Sequence, residues 1–328
     1  MAELRKLPII YDKVLSPMFN DLSRFYYPVA VRYVKYTKHF LGEYHRHDFP
    51  QVWYCVSGTY IHAVGDEDYI CGPGSVVIVP PGVFHCYEIS SDKPVELIAL
   101  EGTFFFFKET QSAMRASIIA NMFCNQFSDE LGFAPPRFVT LSGDEKTQAD
   151  KLLSDLCKKD YTRNIPNIDN VHKKIGDFFS MPTFALTTAQ RKRAECFILN
   201  KLSPIMDAIL YMNENYAKKI HTEELLRISS LCHTDFFRLM KKTVGTTYAL
   251  YLQMLRVKRA QIMITFSTFS FSYIANKCGF GSQSYLGRLF KEYYGLTMHE
   301  ERKKRNSLVD QFPFMIMTHE FWEMTNIE

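Results

Sequence analysis

Residues 221–245, HTEELLRISSLCHTDFFRLMKKTVG, are answered about fifty residues later by residues 270–295, SFSYIANKCGFGSQSYLGRLFKEYYG. The first stretch predicts a helix from Thr222, a short turn near Ser230 and a second helix from about His233 to Thr243. The second predicts a helix after Ser270, a tight turn at Gly279 and a helix from about Ser282 to Tyr294. Each is a helix-turn-helix, the arrangement that lays its second helix in the major groove of DNA. Apolar and basic residues recur at matching steps, Phe236, Arg238, Met240 and Lys241 against Leu286, Arg288, Phe290 and Lys291, an internal repeat that chance rarely supplies. Between them TYALYLQMLRVKRAQIMI (247–264) reads as one connecting helix. Its 18 residues at about 1.5 Å each span roughly 27 Å, which suits two recognition helices in successive major grooves about 34 Å apart.

Charge points the same way. Through residue 200 the chain has 22 Lys and Arg against 23 Asp and Glu, and from 201 to 307 it has 17 against 8. The last 21 residues carry four acidic groups and no basic one, which brings the net charge to +4. A basic module of about a hundred residues therefore follows a neutral one, as expected when only one domain meets a polyanion.

This module resembles the DNA-binding domain of the AraC family of bacterial transcription regulators over about 105 residues. The resemblance rests on LRVKRAQIMI in the connecting helix, on IANKCGF and QSYLGRLFK, and on the closing YGLT. It implies base contacts from Thr234, Phe237 and Arg238 in the first recognition helix and from Gln283, Ser284 and Arg288 in the second. The chemistry agrees, since Arg chelates guanine and Gln chelates adenine in the major groove. Lys241, Lys242 and Lys291 are placed to hold phosphate. Several positions depart from the family pattern: Phe237 stands where a polar reader is common, which leaves contact with a thymine methyl, and Cys232 replaces the usual serine cap, at a cost of about 1 kcal/mol. Gly287 offers no side chain, and Met298 replaces a usual proline. Specificity is therefore expected from the second helix more than from the first.

The first half has another character. From Val29 to about Leu100, brief β-branched and aromatic runs such as QVWYCVSG and SVVIVPPGVFHCYEI alternate with Gly and Pro turns, the pattern of a small antiparallel barrel or sandwich. EYHRHDFPQVWYCVSG (43–58) reads as a strand in which His45, His47, Gln51, Trp53 and Cys55 share one face; His85 and Tyr87 share another after Pro80-Pro81-Gly82. These residues resemble the cupin family: His45, His47, Gln51 and Gly58 match its first motif in spacing, and Gly74, Pro80, Gly82 and His85 match its second. Gln51 stands where metal-binding cupins carry a carboxylate, and Ile89 where the second motif usually ends in Asn. Three imidazoles can hold a divalent metal, but a neutral amide removes charge that favours the ion. Three readings stay open for the cluster: a metal site of His45, His47 and His85, a pocket for a small ligand lined by His45, His47, Gln51, Trp53, His85 and Tyr87, or plain core packing. A flat Trp face beside convergent hydrogen-bonding groups suits a sugar or another small polar ring, and that ligand reading is preferred, with no resident cofactor.

At 328 residues, with 47% apolar and 23% charged residues, the chain has the composition of a soluble globular protein of two ordinary domains. Nothing in MAELRKLPIIYDK reads as a secretory signal and no run of about 18 apolar residues is present, so a cytoplasmic protein without a membrane partner is expected. Eight cysteines without a Cys-x-x-Cys pair are expected to be reduced and in the core. The fold expected is α+β: an N-terminal antiparallel β-barrel of the cupin kind with an arm (1–135), a helical linker or dimerisation region (136–202), an all-α domain with two helix-turn-helix motifs (203–307) and an apolar, acidic tail (308–328). In the linker, Ala149, Leu152, Leu153 and Leu156 mark one helix, and a long helical stretch begins near Ala189. The function implied is a DNA-binding transcription regulator, not an enzyme, that answers a small-molecule effector. Double-stranded DNA, a second copy of the chain and RNA polymerase are its partners. The alternatives are a metal-dependent cupin enzyme fused to a DNA-binding module, and a regulator whose barrel binds nothing and only dimerises.

Overall fold

The computed structural model describes residues 29–303 except Glu43, Asp48, Ser91 and residues 103–111, 124–126 and 158–167. The N-terminal arm LPIIYDKVLSPMF, the four consecutive phenylalanines at 104–107, most of the loop YTRNIPNIDN and the tail 308–328 lie outside the described residues. By proximity the described chain forms two compact units, residues 29–203 with 242–245, and residues 204–241 with 246–303.

The first unit is built on nine strands: β1 (Val29–Tyr36), β2 (Phe40–Leu41), β3 (Gln51–Ser57), β4 (Tyr60–Val64), β5 (Glu67–Cys71), β6 (Ser75–Val79), β7 (His85–Ile89), β8 (Val95–Gly102) and β9 (Phe138–Thr140). They pair antiparallel in two sheets, ordered β1-β8-β3-β6-β9 and β2-β7-β4-β5. The sheets form a sandwich, the open counterpart of a barrel, and its core gathers Trp53, Cys55, Tyr60, Val64, Val77, Val79, Tyr87, Val95 and Leu97. Alternation explains the choice of residues, because inward positions of facing strands meet while their neighbours point away. Gly74 closes the turn before β6 with φ of +88°, and a Cβ there would meet the Leu141 carbonyl oxygen at 2.4 Å, so only glycine fits.

One detail differs from the reading of a regular strand starting at His45. β3 begins at Gln51, after Pro50, which has no N–H to give to a ladder. His45 belongs to the other sheet, in an isolated bridge with His85: the His45 N–H donates to the His85 carbonyl at 3.0 Å and the His85 N–H to the His45 carbonyl at 2.8 Å. The His45–Gln51 segment is thus a crossover between sheets, and this brings residues from both sheets to one place.

Helices follow: α1 (Ser112–Phe123), α2 (Ser128–Leu131), α3 (Gly143–Cys157), α4 (Ile168–Phe179) and α5 (Thr188–Phe197). The expected stripe of α3 is buried at Ala149, Leu153 and Leu156, with Leu152 half-buried. α5 starts on a reciprocal capping box between Thr187 and Gln190 and runs through a π-helical turn, Ile198–Leu202, into α6 (Ser203–Asn215). Among the described cysteines, Cys55, Cys71, Cys86 and Cys278 are buried free thiols and Cys157 is half-buried. Cys196 and Cys232 are exposed, against the expectation of a core role for all, because each sits on an outward helix position or turn.

The second unit continues with α7 (Thr222–Ser229), α8 (His233–Val244), α9 (Tyr248–Phe266), α10 (Phe271–Lys277), α11 (Gln283–Tyr294) and α12 (Met298–Lys303). The helix ends follow the caps written in the sequence: the side chains of Thr247, Ser270 and Ser282 accept from Leu250, Tyr273 and Tyr285 backbone N–H groups. Gly279 turns the chain with φ of +74°, and a Cβ on it would lie 2.4 Å from the Ala217 carbonyl oxygen. Behind α11, Leu286, Leu289 and Phe290 pack with Ile264, Ile274, Ala275 and Met298. Gly287 and Met298, both departures from the family pattern, answer each other: a Cβ at 287 would meet the Met298 Cε at 3.4 Å.

Candidate functional site

Between the sheets lies a cluster of four buried imidazoles. His45, His47 and His85 each offer a nitrogen, and these atoms lie within 4.8 Å of one another. Ring centres are 4.3 Å apart for His45 and His85, 4.8 Å for His47 and His85 and 6.1 Å for His45 and His47. The fourth, His62 on β4, is fully buried with its ring centre 5.7 Å from that of His85, and neither of its nitrogens has a hydrogen-bond partner. The sequence reading missed it, although Tyr60, His62 and Val64 alternate inward along a short strand. Strand pairing sets it opposite Tyr87 and one step from His85.

Gln51 is fully engaged. Its Oε1 accepts from Trp53 Nε1 at 2.6 Å and faces His47 Nε2 at 3.3 Å, while its Nε2 donates to Glu101 Oε1 at 2.6 Å. A carboxylate does stand beside Gln51, on the neighbouring strand: Glu101 sits directly across the ladder from Gln51 and pairs with Arg32. Trp53 and Tyr87 lie with ring centres 5.0 Å apart, and the Tyr87 hydroxyl meets that of Tyr36. All six residues expected to line the pocket are thus buried and close together, and His62 and Glu101 join them.

Burial holds His47, His62 and His85 neutral. The pKa of His47 is pushed down to about 3, first by desolvation and then by the neighbouring His45, and that of His62 falls to about 3 for the same two reasons. His85 lies well below the usual histidine range, again mainly through burial. Neutral imidazoles are the form that binds metal, and the Nδ1 atoms of His47 and His85 face the carbonyls of Phe49 and Val83, so the tautomer with its proton on Nδ1 has its lone pair on Nε2. The three imidazoles therefore fit a divalent transition metal, which His45, His47 and His85 would hold and which would supply Lewis acidity there.

The second surface is formed by the starts of α8 and α11. On α11, Gln283, Ser284, Arg288 and Lys291 are exposed; the Arg288 guanidinium lies 5.3 Å from the Tyr285 ring centre and 3.7 Å from Glu292. On α8, Thr234 and Lys241 are exposed, whereas Phe237 is half-buried with its ring 4.4 Å from that of His233 and 5.8 Å from that of Tyr248. Arg238 pairs with Asp235 at 3.0 Å, and Lys242, in the stretch grouped with the first unit, is half-buried.

Comparison with known proteins follows the same division. Residues 32–101 match the Cupin domain family and residues 227–304 match a Helix-turn-helix domain family. The chain is similar to the HTH-type transcriptional activator RhaR of Mannheimia succiniciproducens, 21% identical over 260 residues that cover 79% of this chain and 87% of that protein. The HTH-type transcriptional activator RhaS of Escherichia coli O139:H28 is 21% identical over 266 residues, covering 81% and 89%. In both halves the chain is similar to the AraC family of transcription regulators. In fold it is similar to ToxT from Vibrio cholerae, with a TM-score of 0.51 at 11% identity over 84% of this chain and 98% of that one. The protein is a DNA-binding transcription regulator with a cupin-like N-terminal domain, and no described helix is long and apolar enough to cross a membrane.

Proposed function

We propose that this regulator is controlled by a small polar molecule, sugar-like in its chemistry, that binds among His45, His47, Gln51, Trp53, His85 and Tyr87 and changes how two protomers present their helix-turn-helix pairs to DNA. The observation that carries the reading is the buried cluster itself: His62 and His85 keep ring nitrogens without partners at full burial, beside the Trp53 and Tyr87 rings. Each such group costs about 1–3 kcal/mol unless something meets it. A binding partner repays that cost, and a bland core does not need it. Binding shifts the equilibrium only if the two arrangements differ in affinity for the effector, so the effector must reach an element that moves. The helices within residues 136–202 are the proposed dimerisation region, and a cytoplasmic, non-enzymatic protein that contacts RNA polymerase completes the reading.

On DNA, Gln283, Ser284 and Arg288 read bases from α11, with Thr234, Phe237 and Arg238 contributing from α8; Lys241, Lys242 and Lys291 hold phosphates. Exposure at the start of α11 supports the first assignment. The test is the affinity of the full chain for its operator, and its melting temperature, across a panel of monosaccharides and other small polyols. A compound that changes both, and loses its effect in Trp53→Ala, supports the reading. If nothing in the panel or in a cell metabolite extract changes either quantity, the ligand-free version, a sandwich that only dimerises, takes its place. A metal-dependent enzyme is the reading favoured by the three converging imidazoles; against it stands the neutral, fully bonded Gln51 where the carboxylate belongs.

A further inference from the structure

The two recognition helices differ in what holds their arginines. Tyr285 precedes Arg288 by three positions, so both side chains lie on one face of α11, and the Arg288 guanidinium lies over the Tyr285 ring, 5.3 Å from its centre. A guanidinium seated on a ring face is held through its flat surface and keeps its N–H donors for other partners. At the corresponding step of the first repeat stands Asp235, which instead takes an N–H of Arg238 at 3.0 Å. Glu292 lies 3.7 Å from Arg288 with both side chains well exposed, so water and salt screen that pair.

An exposed tyrosine is a poor platform if it can turn, and Tyr285 is 40% exposed. It is fixed from three sides. Its backbone N–H donates to the Ser282 hydroxyl at 3.2 Å, the buried Phe280 ring meets it edge-on with centres 5.9 Å apart, and Gln253 Nε2 on α9 donates to its hydroxyl at 3.1 Å. Gln253 is itself held, because its Oε1 accepts from the Tyr293 hydroxyl at 3.1 Å. One amide on the connecting helix thus ties the first and last turns of α11 and stills the ring on which Arg288 rests. An arginine gathered in advance gives up less rotamer freedom when it meets a base.

We propose that Gln253 and Tyr285 are positioning residues for the reading of DNA: Gln253 fixes the Tyr285 ring, and the ring holds the Arg288 guanidinium in the pose that chelates a guanine in the major groove. The inference deepens the assignment of Arg288 as a base reader and rests on it. It also gives the stronger reading expected of the second helix a physical cause, since Asp235 offers Arg238 no such platform and occupies one of its donors.

The test uses the full chain and the duplex that wild type selects from random-sequence DNA, together with every single-base-pair change of that duplex. Fluorescence anisotropy gives the affinities, and melting temperature reports folding. Tyr285→Ala is expected to lose about threefold to tenfold of the preference for guanine at one base pair, and Gln253→Ala about twofold to threefold at the same pair. Preferences elsewhere and affinity for a scrambled duplex should stay as in wild type. Tyr285→Phe, which keeps the ring and loses the tie, should match Gln253→Ala, and combining the two should change nothing more. In an Arg288→Ala background, Tyr285→Ala should have no further effect on that preference. A loss spread equally over all duplexes overturns the proposal in favour of a structural role, and a loss that persists in the Arg288→Ala background overturns it in favour of direct contact between Tyr285 and DNA. Unchanged preference in Tyr285→Ala overturns it outright. If Tyr285→Ala does not fold, Gln253→Ala and Tyr285→Phe decide the point by the same criteria. Failure here is distinct from failure of the underlying assignment: an Arg288→Ala protein with wild-type preference at every base pair removes both, whereas one that loses a preference Tyr285→Ala keeps removes only the positioning role.

Discussion

The two units of this chain differ in where they keep their histidines. The sheet unit buries four histidines, Gln51 and Glu101 among aromatic rings; the helical unit closes its second helix-turn-helix over Ile264, Ile274, Leu286, Leu289 and Phe290, and its described histidines, His221, His233 and His299, are exposed. Unmet polar atoms in the first are a cost that a bound partner can recover, whereas the second gains its stability from apolar burial and caps before it meets anything. One interior is built to be completed, and the other is built to hold an outer surface still. The difference teaches where each unit's function lies: inside the sandwich, and outside the helices.

Acid should separate the two most strongly. In the folded sheet unit His47 and His62 titrate near pH 3, against about 6.5 when unfolded, so the unfolded chain takes up protons first as pH falls. Their contribution is fully present above pH 6.5 and is lost on the way down to 3, at about 1.4 kcal/mol per pH unit for each, or roughly 5 kcal/mol between pH 6.5 and 4.5 for the pair. Chelator-treated protein followed by calorimetry should lose its sandwich transition over that range while the helical transition persists; coincident loss of both would erase the contrast. The next largest effect runs the other way. Gly279→Ala, forced into a left-handed conformation against the Ala217 carbonyl, should cost the helical unit about 3 kcal/mol and leave the sandwich transition in place.

Function can be split within the helical unit as well. Arg288→Ala should weaken specific operator binding by about 1–3 kcal/mol and relax preference at one base pair, as read by fluorescence anisotropy on a set of mutated sites. Arg238→Ala should cost less, because its guanidinium is already held by Asp235, and equal losses would show that the first recognition helix reads as much as the second. Smallest is Cys232→Ser, which restores the capping hydroxyl before α8 and should raise the melting free energy of the helical unit by about 0.5–1 kcal/mol; no gain would mean that α8 needs no side-chain cap.

The helical unit was legible in the sequence almost residue for residue, because local rules decide it: Ser270, Thr247 and Ser282 cap where they stand, and Gly279 turns where only glycine can. The two sheets were legible as strands and turns, and the cupin spacing named His45, His47, Gln51 and His85 correctly as neighbours. Parity failed at His45 for a physical reason: alternation assumes one unbroken strand, and Pro50 and the crossover between sheets break it. His62 and Glu101 stayed hidden because nothing in their local sequence distinguishes an inward polar residue that meets partners on other strands from an ordinary strand residue.

By itself the sequence determined the order of elements, the repeated helix-turn-helix, the basic half and the histidine spacing, all of which follow from residues close together along the chain. Only the tertiary structure decided which polar groups face one another between the sheets. Strand register set His62 across from Tyr87 and Glu101 across from Gln51, and the crossover carried His45 to His85. Those pairings depend on contacts between strands far apart in sequence, and hydrogen-bond register, which no local pattern records, fixes them.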